Sequence, residues 1–399
     1  MRVLLVGPDR RSAQVCGDDI VTRVLLSHPP TGVRYDHFEA ALQSGAIART
    51  RWTEAWLASL CMHSRPPAGV PYVWGPLPPW RYRLWGRLLP DRPDEDVQWL
   101  AASRADRWDL LHAWAYPVGL VGALRRLPLI LHAATGNTDL LRNYYGYSAD
   151  LTRRVAARDT RLLRALGVAH DLYATQQARC VIVASRYAWD LHLAAGVPEH
   201  KLRLLRIGLE SPPKDTLAVQ RDPSVCRFTL VGHQFWRKGG RAVVAAFARL
   251  RARHPEARLT IVSAVAPQDL GIDLTGVELI PALPRELIYQ TVYPRTDVLL
   301  LPSLAEGYGM SVVEGMSFGL PVIASRISAL PELVQEGVSG LLVPPDDPEA
   351  LEGAMRRLLE SSTLRVQFGQ AGRAAFVREH ALPVTQAGLR RIYQEVLHG

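Results

Sequence analysis

The chain has 399 residues, of which 48% are hydrophobic and 21% charged, with a formal net charge of +9. That length has room for two domains of about 150–200 residues, and the composition excludes a disordered or collagen-like chain. No apolar run reaches the roughly 20 residues of a membrane-spanning helix. The scattered Cys16, Cys61, Cys180 and Cys226 form no C-x-x-C, which argues against a disulfide framework or a structural metal and fits a reducing cytoplasm.

The basic surplus admits anionic lipid headgroups, nucleic acid or nucleotide phosphates as partners. No nucleic-acid motif accompanies it, and the charge is spread along the chain. Arg2-Val3-Leu4-Leu5-Val6-Gly7 opens the chain as a strand, without the marks of a secretory leader. The next turn, residues 7–18, holds Arg10 and Arg11 but no G-x-G-x-x-G, which counts against a nicotinamide-dependent Rossmann enzyme. Apolar runs at 3–6, 70–73, 110–113, 129–131 and 181–184 alternate with amphipathic stretches, the pattern of α/β proteins with parallel sheets. Residues 74–89, with Trp74, Trp80 and Trp85 among arginines, suit a lipid–water interface, or else pack as a proline-rich loop on their own domain. Asp94-Glu95-Asp96 has the carboxylate spacing of some metal sites, but its proline-rich, charged surroundings read as a solvated loop. His112 ends one strand, and His132 lies just past the next. A histidine there serves either as a structural hydrogen-bonding group or as a site residue.

The alternation stops between residues 207 and 225, where Glu210-Ser211-Pro212-Pro213-Lys214-Asp215 reads as a linker. A second set of strands follows at 228–231, 259–262, 277–280, 298–301, 322–324 and 340–343, and a last helix at about 383–397. Two doubly wound domains are predicted, with ligands outside the carboxyl ends of the strands. Val231-Gly232-His233-Gln234-Phe235-Trp236-Arg237-Lys238-Gly239-Gly240 is a strand, a glycine turn and a helix start. Positive charge is disfavoured at that end of a helix, so Arg237 and Lys238 there suit an anionic ligand; only three of the 47 basic residues are lysine. The same plan recurs at 298–318, where Glu306 and Glu314 flank Gly307 and Gly309. Helix-terminal amides bind phosphate or sugar hydroxyls, and two acceptor carboxylates beside them suit a ligand rich in hydroxyls.

The stretch from Glu306 to Glu314, with Gly319-Leu320-Pro321-Val322-Ile323-Ala324-Ser325 and Pro331-Glu332-Leu333-Val334, resembles the C-terminal half of the retaining GT-B glycosyltransferases of family 4 (group 1). The resemblance covers the chain well from Val181 onward and only loosely before it. It implies an α/β GT-B fold, two Rossmann-like domains facing a cleft: residues 1–209 on the acceptor side, 210–382 on the nucleotide-sugar side, and 383–399 as a helix crossing back. It implies transfer of a sugar from a nucleotide-diphosphate sugar to a carbohydrate, lipid-linked or small-molecule acceptor, with retention, no metal and no cofactor. A cytoplasmic protein with peripheral membrane contact is expected. Lys238 matches the family's phosphate-binding turn, while His233 stands where arginine is usual and Arg237 compensates. Glu314 is expected on the ribose hydroxyls, and Glu306 beside the donor sugar or its developing charge. Gly309, Met310 and Ser311 are expected to offer amides to sugar or phosphate. His132 is the expected first-domain site histidine, with His112 its rival and Asn137 and Thr138 in the same loop. The alternatives are a catalytically silent scaffold of this fold or a related nucleotide-sugar epimerase.

Overall fold

Strands buried on both faces in a parallel sheet are continuous apolar runs rather than alternating ones, and the chain supplies two sets of them. The computed structural model describes residues 1–6, 17–44, 107–114, 127–133, 178–213, 225–264 and 274–399. The strand reading at 70–73, the turn residues 7–16, the aromatic and basic segment 74–89, Asp94 to Asp96, Asn137 and Thr138 lie outside the described residues.

The described residues fall into two units. One takes its residues from the stretch up to Leu205 together with Gln386–Gly399, and the other from Arg206–Thr385. In the first unit, β1 (Arg2–Val6), β2 (Arg34–His37), β3 (Leu110–Trp114), β4 (Leu129–Ala133), β5 (Cys180–Val183) and β6 (Leu202–Leu204) form a parallel sheet in the order β2-β1-β3-β4-β5-β6. β4 and β5 are buried throughout. The edge strand β2 reads Arg-Tyr-Asp-His and has no apolar signal; long-range polar contacts fix it instead. Arg2 Nη2 and Trp108 Nε1 both donate to Asp36, at 2.7 and 2.9 Å.

In the second unit, β7 (Cys226–Val231), β8 (Ala257–Val262), β9 (Val277–Ile280), β10 (Val298–Leu301), β11 (Val322–Ser325) and β12 (Gly340–Val343) are also parallel, in the order β12-β11-β10-β7-β8-β9. The chain builds outward from β7 to β8 and β9, then returns to lay β10 on the other side. The strand order therefore reverses between β7 and β10, and a crevice opens at such a point.

Helix α1 (Gly17–Ser27) belongs to the first unit, α2 (Gly240–Arg251) follows β7, and α3 (Met310–Ser317) follows β10. The final helix, α4 (Leu382–His398), sends its residues from Gln386 onward into the first unit. There Gln386 Nε2 donates to the His28 carbonyl at 2.7 Å, and Arg203 pairs with Glu395 at 2.9 Å. Among the described residues no helix is long and apolar enough to cross a membrane.

Candidate functional site

The turns after β7 and β10 lie at the carboxyl ends of the two strands between which the order reverses. They lock onto each other through the backbone. Leu304 N donates to the Arg237 carbonyl at 2.8 Å, and Arg237 Nη1 donates to the Ala305 carbonyl at 2.7 Å. Gly239, with φ +76°, caps α2, and a Cβ on it would lie 2.0 Å from the Pro302 carbonyl oxygen. Only glycine fits both the left-handed backbone and that approach. Gly309, with φ +104°, caps α3 in the same way.

The interlock brings Arg237, Lys238 and Glu306 together. Lys238 Nζ bonds Glu306 Oε2, while Arg237 Nη1 stands 3.9 Å from Glu306 Oε1. Ser303 Oγ donates to Oε2 at 3.3 Å and the Gly307 amide to Oε1 at 3.1 Å. Glu306 is buried, and Lys238 is nearly so. Burial pushes the Glu306 carboxyl up, but Lys238 and Arg237 more than offset this, so its pKa lies below the usual value. Burial pulls Lys238 below the usual lysine value, and Glu306 only partly restores it. Two cations against one carboxylate leave one positive charge in excess.

Beside this cluster stands the first turn of α3, whose leading amides have no partner within a helix. Ser311, in that turn, is buried, and its Oγ has no hydrogen-bond partner among the described residues. Burial without a partner is costly for a hydroxyl. His233, in the β7 turn, is exposed; its carbonyl accepts from Ser263 Oγ at 3.3 Å.

Glu314 is the fifth residue of α3, just past its first turn. Its carboxylate is held apart from that of Glu306. Arg285 Nε donates to Oε1 at 2.9 Å, and Tyr293 OH donates to Oε2 at 2.7 Å. Arg285 in turn lies over the Tyr289 ring, 4.5 Å from its centroid, and bonds the Tyr289 hydroxyl. Burial alone would lower the Arg285 pKa; Tyr289 and Glu314 raise it above the ordinary value. Glu314 nevertheless contributes to the field at Lys238. Sequence reasoning missed Arg285 and Tyr293 as partners of Glu314. No local signal marks them, since 29 and 21 residues separate them from Glu314.

In the first unit, His132 lies within β4 rather than past it. His112 is opposite Ile130 in the register, so His132, two residues on, shares its sheet face. The two rings stack with centroids 5.8 Å apart and planes 12° apart. His112 Nδ1 is 2.6 Å from Tyr393 OH on α4, which is 2.7 Å from Tyr35 OH. Burial lowers His112 to about 3; it also takes His132 well below its usual value, with His112 adding to the effect. Both rings are neutral at pH 7.

Residues 226–361 match the family model described as glycosyl transferases group 1. The D-inositol 3-phosphate glycosyltransferase of Corynebacterium glutamicum (strain R) is 29% identical over 174 residues, 40% of this chain and 41% of that protein. The enzyme of the same name from Thermobifida fusca is 31% identical over 218 residues, 49% of this chain and 45% of that one. The chain thus spans less than half the length of these curated relatives. Sucrose-phosphate synthase from Thermosynechococcus elongatus superposes with a TM-score of 0.68 at 21% identity, over 99% of this chain and 98% of that one. Anabaena HepE in complex with UDP-glucose gives 0.62 at 17%, over 99% and 100%. With two parallel six-stranded sheets, these likenesses make the fold α/β and GT-B. The matched stretch contains the whole Arg237, Lys238 and Glu306 cluster, together with Glu314, Arg285 and Ser311.

Proposed function

We propose that this protein is a hexosyltransferase. It takes a sugar from a nucleotide-diphosphate sugar and passes it, with retention and without a metal, to a carbohydrate, lipid-linked or small-molecule hydroxyl. The observation that carries this reading is the Ser311 hydroxyl, buried and unsatisfied in the first turn of α3 beside an excess positive charge at the reversal of strand order. Helix-terminal amides, a free hydroxyl donor and a lysine together suit a diphosphate. The UDP-glucose bound to HepE supports the same donor class, and the D-inositol 3-phosphate glycosyltransferases support sugar transfer.

In this reading Lys238 and the amides of Met310 and Ser311 neutralise the departing diphosphate, the charge that develops as the glycosidic bond breaks. Glu306, already ionised, faces the developing positive charge at the anomeric carbon. Glu314 accepts from the ribose hydroxyls. Arg237 braces the turn through the Ala305 carbonyl and supplies the second positive charge at Glu306. His233 adds a donor at the rim. His132 serves as a neutral donor or acceptor toward the sugar.

The test is a thermal-shift panel of UDP, GDP, ADP and dTDP on the wild type, Lys238→Ala and Glu314→Ala. A ligand that binds only the folded state raises stability by about 2.7 kcal/mol at a hundred times its dissociation constant. One nucleotide is expected to shift the wild type and neither variant. No shift with any of them at millimolar concentration would overturn the donor reading in favour of a silent scaffold.

A further inference from the structure

The carboxylate of Glu314 is gripped at both oxygens, by Arg285 Nε at 2.9 Å and Tyr293 OH at 2.7 Å. A carboxylate at the end of a glutamate turns easily, because its last torsion is broad. Two donors from different directions remove that freedom. Each oxygen keeps a further lone pair. The result is a carboxylate plane fixed in advance, with one acceptor site on each oxygen for an incoming group.

Arg285 is itself immobilised. Its guanidinium lies over the Tyr289 ring at 4.5 Å, bonds the Tyr289 hydroxyl, and is mostly buried. Tyr293 is fully buried and packs against Phe318, with ring centroids 5.1 Å apart. Neither residue is needed to neutralise the Lys238 and Glu306 cluster. An aromatic wall thus holds an arginine whose directed contact is with the carboxylate expected to read the ribose.

We propose that Arg285 is a positioning residue, aided by Tyr293, that fixes the Glu314 carboxylate to receive a vicinal diol and so sets discrimination between ribo- and 2′-deoxyribonucleotides. The proposal rests on the donor reading above. A diol meets both fixed oxygens at once, whereas a 2′-deoxy sugar meets one and gains little from their alignment. Loss of Arg285 therefore weakens the ribonucleotide far more than its deoxy counterpart. A role confined to packing would weaken the two alike.

The experiment is isothermal titration of the full chain with UDP, GDP and ADP, each beside its 2′-deoxy form, on the wild type, Arg285→Ala, Arg285→Lys and Tyr293→Phe. The wild type is expected to prefer one ribonucleotide by on the order of tenfold or more, as suits a hydrogen bond to a charged group. In Arg285→Ala the preference falls toward unity. Arg285→Lys does not restore it, because an ammonium lacks the planar fork. Tyr293→Phe, which removes a single hydroxyl, gives an intermediate ratio and keeps the test open if Arg285→Ala folds poorly. Equal ribo-to-deoxy ratios in wild type and variants would overturn the proposal while leaving the donor reading intact. A wild type without discrimination would overturn it too. A wild type that binds no nucleotide would sink the donor reading itself.

Discussion

Lys238 and Glu306 hold each other in place. A buried pair that loses one member leaves an uncompensated charge, at a cost of about 3–5 kcal/mol. Here Arg237, 3.9 Å away, with Ser303 and the Gly307 amide, softens the loss on the Glu306 side. Lys238→Met is therefore expected toward the lower end of that range. Lys238 has no second carboxylate so close, and Glu306→Gln leaves it next to Arg237, so that variant should be at least as destabilised. The double variant should recover part of the loss, giving a coupling of more than about 1 kcal/mol in a urea-unfolding cycle. Nucleotide binding should stay weak in all three, separating a stability role from a ligand role; strictly additive stabilities would refute the pairing. Lys238, Glu306 and Glu314 were legible in the sequence because their signal is local, a charge placed against a glycine turn. Arg285 and Tyr293 were not, because they lie 29 and 21 residues from Glu314 and only the fold closes that distance. The contact of His112 with Tyr393 spans 281 residues and was illegible for the same reason.

The apolar strands of both sheets announce themselves in the sequence, and β10 falls on the very residues, 298–301, that the apolar run marks. The strands missed were β2, too polar, and β6, only three residues long. Both take their strand character from the neighbour they pair with, Arg2↔Arg34 onward and Val181↔Leu202 onward. The glycine turns, by contrast, were legible as turns but not as a joint. Gly239 is the contact at which the β7 turn meets the β10 turn, and its obstacle is the backbone carbonyl of Pro302, which no rotamer change can move. Gly239→Ala combines a left-handed backbone, which costs roughly 1–2 kcal/mol for other residues, with that clash. The two turns should separate, and the Arg237 bonds to the Ala305 carbonyl and from the Leu304 amide should break. The expected outcome is a melting temperature lower by several degrees, together with loss of the nucleotide-induced shift. Gly353→Ala, in the helix Pro348–Glu360 with nothing within 4 Å, is the steric control: the nucleotide-induced shift should stay, and helix propensity should hold or slightly raise the melting temperature.

Among the described residues, burial acts on histidine in one direction. It holds His112 at about 3, His192 and His380 at about 4, and His132 well below its ordinary value. The unfolded chain binds protons on these rings near pH 6.5, while the folded protein does not until the pH is far lower. Between those values the unfolded state holds more protons, so stability must fall as pH falls, by up to about 1.4 kcal/mol per pH unit for each ring. The loss begins near pH 6.5 and is complete only below about 3, where the folded rings charge as well. Glu306 does not oppose it, because its pKa lies below the usual carboxylate value and it stays ionised through the upper part of this window. The burden is unequal: His112, His132 and His192 belong to the first unit, and His380, with the less strongly lowered His233, to the second. Calorimetry between pH 7.5 and 5 should therefore show the first unit's transition falling faster than the second's. His192→Phe should flatten the first slope, because it removes one of the protons taken up there. A first-unit transition independent of pH over that range would mean that these rings are hydrated in solution, and the buried His112–His132 stack would have to be abandoned.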